Sequence, residues 1–311
     1  MSDELDDKKS RRNFLRDLGL LGTGAIAASG ALYLGKQYEK KKLGKNIKLL
    51  TQDGKTVEFD GHELKSLTPQ LSELQERGRE GIEGRKWVMV IDLSRCRNAR
   101  KCVDACQGAH QLKPEQFHMN TLQMKDSENG APYYMPKTCM HCDNPPCVSV
   151  CPVDATFKRN DGIVLIDNER CIGCRFCIAA CPYSARSFNW FDPRDAEKYA
   201  NQQYDVELNV PQKKGTITKC LFSADRLRLN EMPYCVSSCP NGVYYFGDEV
   251  EDTVTNGTTK ETVRFSELIK NNGGYRLMEE LGQKPRVYYL PPKNPLFPIP
   301  DNEILPENKT T

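Results

Sequence analysis

The chain has 311 residues, room for about two domains of ordinary size. Lys and Arg number 44 against 42 Asp and Glu, and a net charge of +2 excludes nucleic-acid binding or steering of an acidic partner carried by total charge. Its fourteen cysteines sit in four tight groups with long cysteine-free intervals, whereas disulfide frameworks belong to short secreted domains with scattered cysteines. The grouping points to metal.

At the N-terminus SRRNFLR (Ser10 to Arg16) precedes a Gly/Ala-rich, mildly apolar run from Leu18 to Gly35. The paired Arg11 and Arg12, the Phe-Leu after them and the weak hydrophobicity of the run resemble a twin-arginine export signal, a route that carries folded proteins. Folded export reconciles many thiols with an oxidising compartment, because a metal site is then assembled on reduced thiolates before exposure. It implies a periplasmic address or the outer face of the cytoplasmic membrane. The apolar run is at the lower length limit for a membrane span, so residues 1–45 read as a cleaved signal or as an N-terminal anchor.

Residues 46–85 form a charged extension. IKLLTQDGKTVEFD alternates around Asp53-Gly54 as a hairpin, and Leu67, Leu71 and Leu74 suggest a short amphipathic helix after it. Residues 86–260 hold the cysteines. Residues 261–311 offer a short helix and then an extended tail in which Pro291, Pro292, Pro295, Pro298, Pro300 and Pro306 forbid a helix or a central strand.

The first cysteine group is Cys96, Cys102 and Cys106. The second is Cys139, Cys142, Cys147 and Cys151, and the third Cys171, Cys174, Cys177 and Cys181, each followed by proline. Two to four residues between ligands let a short loop wrap an iron–sulfur cube with its backbone N–H groups aimed at the sulfurs, and in two-cluster ferredoxins the last cysteine of such a run ligates the other cluster. A zinc ribbon instead presents separated CxxC pairs with no trailing proline. The fourth group is Cys220, Cys235 and Cys239. Laid over the third group, the first has Ala99 where Cys174 stands, and the fourth has Ser223. Four complete groups contain sixteen cysteines, and Ala99 and Ser223 account for the two missing.

The surroundings repeat as well. KWVMVIDLSRC and GIVLIDNERC each place a β-rich strand, an Asp and a basic residue before a first cysteine, while SARSFNW and NGVYYFGD follow a last cysteine as return strands. Units of strand, ligand loop, helix and strand give an α+β fold of duplicated bacterial ferredoxin-like units.

From about Lys86 to Pro292 the chain resembles the four-cluster ferredoxin-type electron-transfer subunits of respiratory molybdopterin oxidoreductase complexes. DLSRC, KTCMHCDNPPCVSVCP, DNERCIGCRFCIAACPYSAR, CVSSCPNGVYYFGD and KPRVYYLP carry the resemblance. It implies one 4Fe-4S cluster on Cys139, Cys142, Cys147 and Cys181 and another on Cys171, Cys174, Cys177 and Cys151. Two further clusters fall on three thiolates each, one on Cys96, Cys102 and Cys239 and one on Cys220, Cys235 and Cys106. Family members lacking the second cysteine hold a 3Fe-4S cluster there, although a Ser223 alkoxide can also ligate iron.

The resemblance implies two partners, a molybdopterin-type catalytic subunit and an integral membrane subunit that reacts with quinone. A relay in a hydrogenase or multihaem cytochrome complex is the competing reading, and a structural metal protein without redox role is a third. His62, His110, His118 and His141 are scattered in the sequence, with His141 placed between Cys139 and Cys142 to tune a cluster. No Gly-rich nucleotide loop of the strand-GxGxxG-helix kind is present.

Overall fold

The computed structural model describes residues 47–50, 56–59, 73–125, 130–193, 197, 199 and 201–292. The arginine pair, its apolar run and the stretch from residue 293 onward lie outside them. The chain divides into two compact units, residues 1–70 and 71–311. In the first, β1 (Ile47–Leu50) pairs antiparallel with β2 (Thr56–Phe59), Leu50 opposite Thr56, as expected of the hairpin; its Asp53-Gly54 turn lies outside the described residues.

The second unit begins with α1 (Glu73–Glu80), which groups with the cysteine-bearing region while the hairpin does not. Only Leu74 of the three expected leucines falls on this helix; Leu67 and Leu71 lie outside the described residues. Polar groups and a glycine attach it. Gln75 Nε2 donates to Asp167 (3.2 Å) and Glu169 (2.7 Å), and Arg79 reaches Asp154 at 2.9 Å while lying over the Phe157 ring. A Cβ on Gly78 would stand 2.2 Å from Val206 Cγ1, so only glycine permits that approach.

A five-stranded sheet follows in the order β12 (Thr262–Arg264), β11 (Thr253–Asn256), β10 (Tyr244–Asp248), β3 (Trp87–Asp92) and β13 (Val287–Leu290). β13 runs parallel to β3, with Met89 opposite Val287, and the other pairs are antiparallel. The continuous apolar run of β3 follows from burial on both faces. Met89 and Ile91 face the cysteine side with Tyr244, Phe246, Val287 and Tyr289, while Val88 and Val90 pack with Tyr245, Val254 and Phe265 on the other. Phe265 opens α7 (Phe265–Asn271), the short helix expected here. The expected tail supplies an edge strand first, because β13 ends at Leu290 just before Pro291 removes the next N–H donor.

Three two-stranded ladders complete the unit. They pair β4 (Met119–Met124) with β5 (Tyr133–Thr138), β6 (Thr156–Lys158) with β7 (Val164–Ile166), and β8 (Arg186–Phe188) with β9 (Ile217–Lys219). Helices α2 (Lys101–Ala109), α3 (Pro146–Ser149), α4 (Phe176–Ala179), α5 (Ala224–Leu227) and α6 (Tyr234–Ser238) lie between them. Helices and mostly antiparallel sheets make the fold α+β. No helix among the described residues is long and apolar enough to cross a membrane.

Candidate metal centres

Each cysteine group occupies the same kind of segment. β3, β5, β7 and β9 lead into Cys96, Cys139, Cys171 and Cys220. The Asp of each expected repeat makes the same turn: Asp92 Oδ1 accepts from Ser94 N at 3.0 Å and Asp167 Oδ1 from Glu169 N at 2.9 Å, bending the chain just before the first cysteine.

The loops then share a backbone conformation. The residue before the second-ligand position has positive φ in all four: Asn98 at 55°, His141 at 44°, Gly173 at 70° and Phe222 at 54°. Only Gly173 requires glycine for space as well, since a Cβ there would meet the Gly215 carbonyl oxygen at 2.1 Å. The cysteine at the third-ligand position is in every case the second residue of a helix: Cys102 on α2, Cys147 on α3, Cys177 on α4 and Cys235 on α6.

All fourteen cysteines are free thiols, ten of them buried. Cys139, Cys142, Cys147 and Cys181 line one cavity of about 330 Å³; Cys151, Cys171, Cys174 and Cys177 line a second of about 280 Å³. A third, of about 260 Å³, is lined by Cys96, Cys102 and Cys239 together with Ala99. Cys106, Cys220 and Cys235 form the remaining set, in which burial pushes the Cys106 and Cys235 thiols well up and repulsion from Cys220 adds to it. In the three cavities the last cysteine of a group crosses to another group's loop: Cys181 joins the second group, Cys151 the third and Cys239 the first.

The sets form a row. Cys102 adds repulsion at Cys106 and Cys235, Cys139 does so at Cys220, and Cys147 does so at Cys177, linking successive sites. The ends of the row are open and its middle is closed. Cys174 and Ala99 are exposed, whereas Cys142 and Ser223, at the equivalent corners of the middle sites, are buried.

The donor chemistry fits iron–sulfur clusters. Soft thiolates converge on each cavity, and backbone N–H groups point at sulfur, as Thr156 N does at Cys151 Sγ (3.5 Å) and Phe222 N at Cys220 Sγ (3.5 Å). Burial and mutual repulsion hold most of the thiols protonated without metal, so loading must release protons.

Two features escape a linear reading. Burial raises the Cys147 and Cys177 thiols, and the cation of Arg186, buried beside them at the start of β8, offsets part of that rise. Two of the histidines scattered in the sequence, His110 and His118, meet in space, while His141 stands apart from them on a different ring. His141 stacks on Phe222 with ring centroids 3.8 Å apart, between the Cys139 and Cys220 loops, and its Nδ1 accepts from Val164 N at 3.1 Å. The rings of His110 and His118 lie 4.7 Å apart, and burial lowers His110 to about 4 and His118 well below its ordinary value. His62 lies outside the described residues.

Cysteine-lined cavities in segments of this kind define an iron–sulfur protein of the dicluster ferredoxin class. Models of the 4Fe-4S dicluster domain match residues 95–155 and 131–200. A selenate reductase subunit of Mesobacillus selenatarsenatis is 34% identical over 303 residues, covering 90% of this chain and 97% of that protein. The menaquinone reductase iron-sulfur cluster-binding subunit of Nitratidesulfovibrio vulgaris is 36% identical over 250 residues, 70% of this chain and 94% of its own. A tetrathionate reductase subunit of Salmonella typhimurium is 34% identical over 219 residues, 68% and 74%. The chain belongs to this family of iron–sulfur electron-transfer subunits.

Proposed function

We propose that the protein relays electrons between a molybdopterin-type catalytic subunit and a quinone-reactive integral membrane subunit, on the outer side of the cytoplasmic membrane after folded export. The observation that carries this reading is the row of four thiol sites with an open corner at each end, Ala99 at one and Cys174 at the other. Clusters bound there supply one-electron steps over short gaps. The protein's own part is to fix the spacing, exclude water from the middle sites and offer each end to a partner.

On this reading the four loop–helix segments are duplicated ferredoxin-like units. The two sites with four cysteines each hold 4Fe-4S clusters, on Cys139, Cys142, Cys147, Cys181 and on Cys171, Cys174, Cys177, Cys151. The Cys96, Cys102 and Cys239 site holds a 3Fe-4S cluster. The Cys106, Cys220 and Cys235 site holds a cluster with one corner that thiolates leave unfilled. The retained positive φ at Asn98 and Phe222 supports occupancy of the two three-cysteine sites, because strained backbone persists only where its surroundings over-determine it.

Purification of the native complex, with identification of its subunits and a dithionite titration of its absorption, tests the function. A molybdopterin subunit, a membrane subunit and bleaching on reduction are expected. A hydrogenase or multihaem partner would move the relay to a different complex, and a colourless protein would end the redox reading.

A further inference from the structure

The buried cations of the described residues, Arg159, Arg186, Lys219 and Arg286, fall into two kinds. Arg159 is paired with the carboxylates of Asp161 and Glu207, and Arg286 with those of Asp143 and Glu249. Arg186 and Lys219 have no carboxylate partner among the described residues. They also stand directly opposite each other in the β8–β9 ladder. Opposite residues of an antiparallel pair project from the same face, where like charges repel, and a buried charge without a partner is costlier still. A fold that keeps two such cations together must offer them an anion of another kind.

Their contacts show where it would lie. Arg186 Nη1 donates to Thr156 Oγ1 at 3.1 Å, while its Nε and Nη2 are buried and find no hydrogen-bond partner among the described residues. Arg186 lines the cavity of Cys139, Cys142, Cys147 and Cys181, and Thr156 lines that of Cys151, Cys171, Cys174 and Cys177. Lys219 Nζ donates to the carbonyls of Val164 and Cys220, the latter at 2.6 Å. Val164 lines the Cys139 cavity, whereas Cys220 belongs to the set with Cys106 and Cys235. Each cation therefore stands at a boundary between neighbouring sites. The attraction follows the same map, since Arg186 favours the thiolates of Cys147 and Cys177, and Lys219 those of Cys147 and Cys220.

We propose that Arg186 and Lys219 are fixed counter-cations of the cluster row, each raising the midpoint potentials of the two clusters between which it stands. This rests on the proposed occupancy of the row. A cluster held by thiolates is a net anion, and each electron it takes up adds negative charge that a cation at its edge stabilises. The Cys139 site faces both cations, the Cys171 and Cys220 sites one each, and the Cys96 site neither. These charges grade the row: they favour an electron most at the Cys139 site, one step in from the Cys174 end. They also explain how two like charges persist side by side in the interior, because the clusters neutralise them.

The test is a redox titration of the native complex followed by paramagnetic resonance, with total iron measured on the same samples. Arg186→Gln and Lys219→Gln replace each charge with a neutral amide, and Arg186→Lys keeps the charge. Each Gln variant should shift two clusters toward their oxidised forms by about tenfold in the one-electron equilibrium, about 59 mV lower in midpoint. One cluster should shift in both variants and one in neither, and Arg186→Lys should restore the wild-type potentials. Full iron with unchanged potentials overturns the proposal. So does an equal shift of every cluster, the mark of a general loosening, and so does a shift or an iron loss that Arg186→Lys repeats. Wild-type iron of only about eight atoms per chain would remove the three-cysteine sites from the row, and the proposal then stands or falls on whether Arg186→Gln lowers both remaining clusters.

Discussion

Ala99 and Cys174 occupy the same corner of two loops with the same backbone turn, and both corners are exposed. Exchanging their chemistry should exchange their metal. Cys174→Ala should lower iron by about one atom per chain and add an oxidised-state resonance near the free-electron position, while the other three ligands keep the cluster in place. Unchanged iron and spectra would remove Cys174 from the ligand set. Ala99→Cys should do the reverse, adding iron and diminishing that resonance in the native protein; a resonance of unaltered amplitude would show that the signal arises elsewhere. A different residue-scale test concerns acid. Although burial alone would raise Asp143, Lys158 Nζ at 2.8 Å and Arg286 Nε at 2.7 Å hold its carboxyl below the ordinary range. A folded value below the unfolded one adds stability above the carboxylate range, lost as pH falls through the folded value. Asp143→Asn should therefore melt lower than wild type at neutral pH, and the two curves should converge in acid. A constant gap at all pH values would contradict this.

At the scale of elements, α1 shows how a helix can be tied down without an apolar stripe. Gln75 joins it to Asp167 and Glu169, and the Asp167 carbonyl in turn accepts from Cys171 N at 3.0 Å, so the helix braces the turn that enters the third cysteine group. Its close approach depends on Gly78 against Val206. Gly78→Leu overfills that contact and should cost about 1–3 kcal/mol. Limited proteolysis should cut before residue 86 sooner in the variant, and the cluster bound by Cys171 should bleach sooner on warming. Equal cutting and equal bleaching would mean that α1 is not a brace. None of this is readable in the sequence, because a Gln and a Gly leave no mark in an apolar pattern, and their partners lie far along the chain. β13 is hidden for a related reason: four residues beside a proline-rich stretch resemble a tail until β3 is seen to pair with them.

For the whole molecule, export should depend on Arg11 and Arg12. Replacing both with Lys should leave the protein on the inner side of the membrane, as fractionation would show; unchanged delivery would remove the compartment from the proposal. Much of the centre is legible because a cluster needs its ligands at short fixed spacing, and such spacing survives in a linear string. Cys139 to Cys151 and Cys171 to Cys181 announce their chemistry, and Ala99 and Ser223 show as gaps in a repeat. Arg186 beside Cys147 and Cys177, and His118 near Cys106, are invisible there because their positions come from the packing of separate strands.

The crossing of last cysteines between neighbouring cavities also sets a schedule. Cys96 and Cys102 leave the ribosome early, but Cys239, the third thiol of their cavity, emerges only after all the other groups. The two cavities lined by four cysteines can close as soon as Cys181 has appeared, whereas the site begun first is finished last. A nascent or truncated chain therefore cannot complete the row, and closure of the Cys96 cavity reports that translation has passed residue 239. Under the proposed folded export, that late closure would be a built-in inspection point before departure.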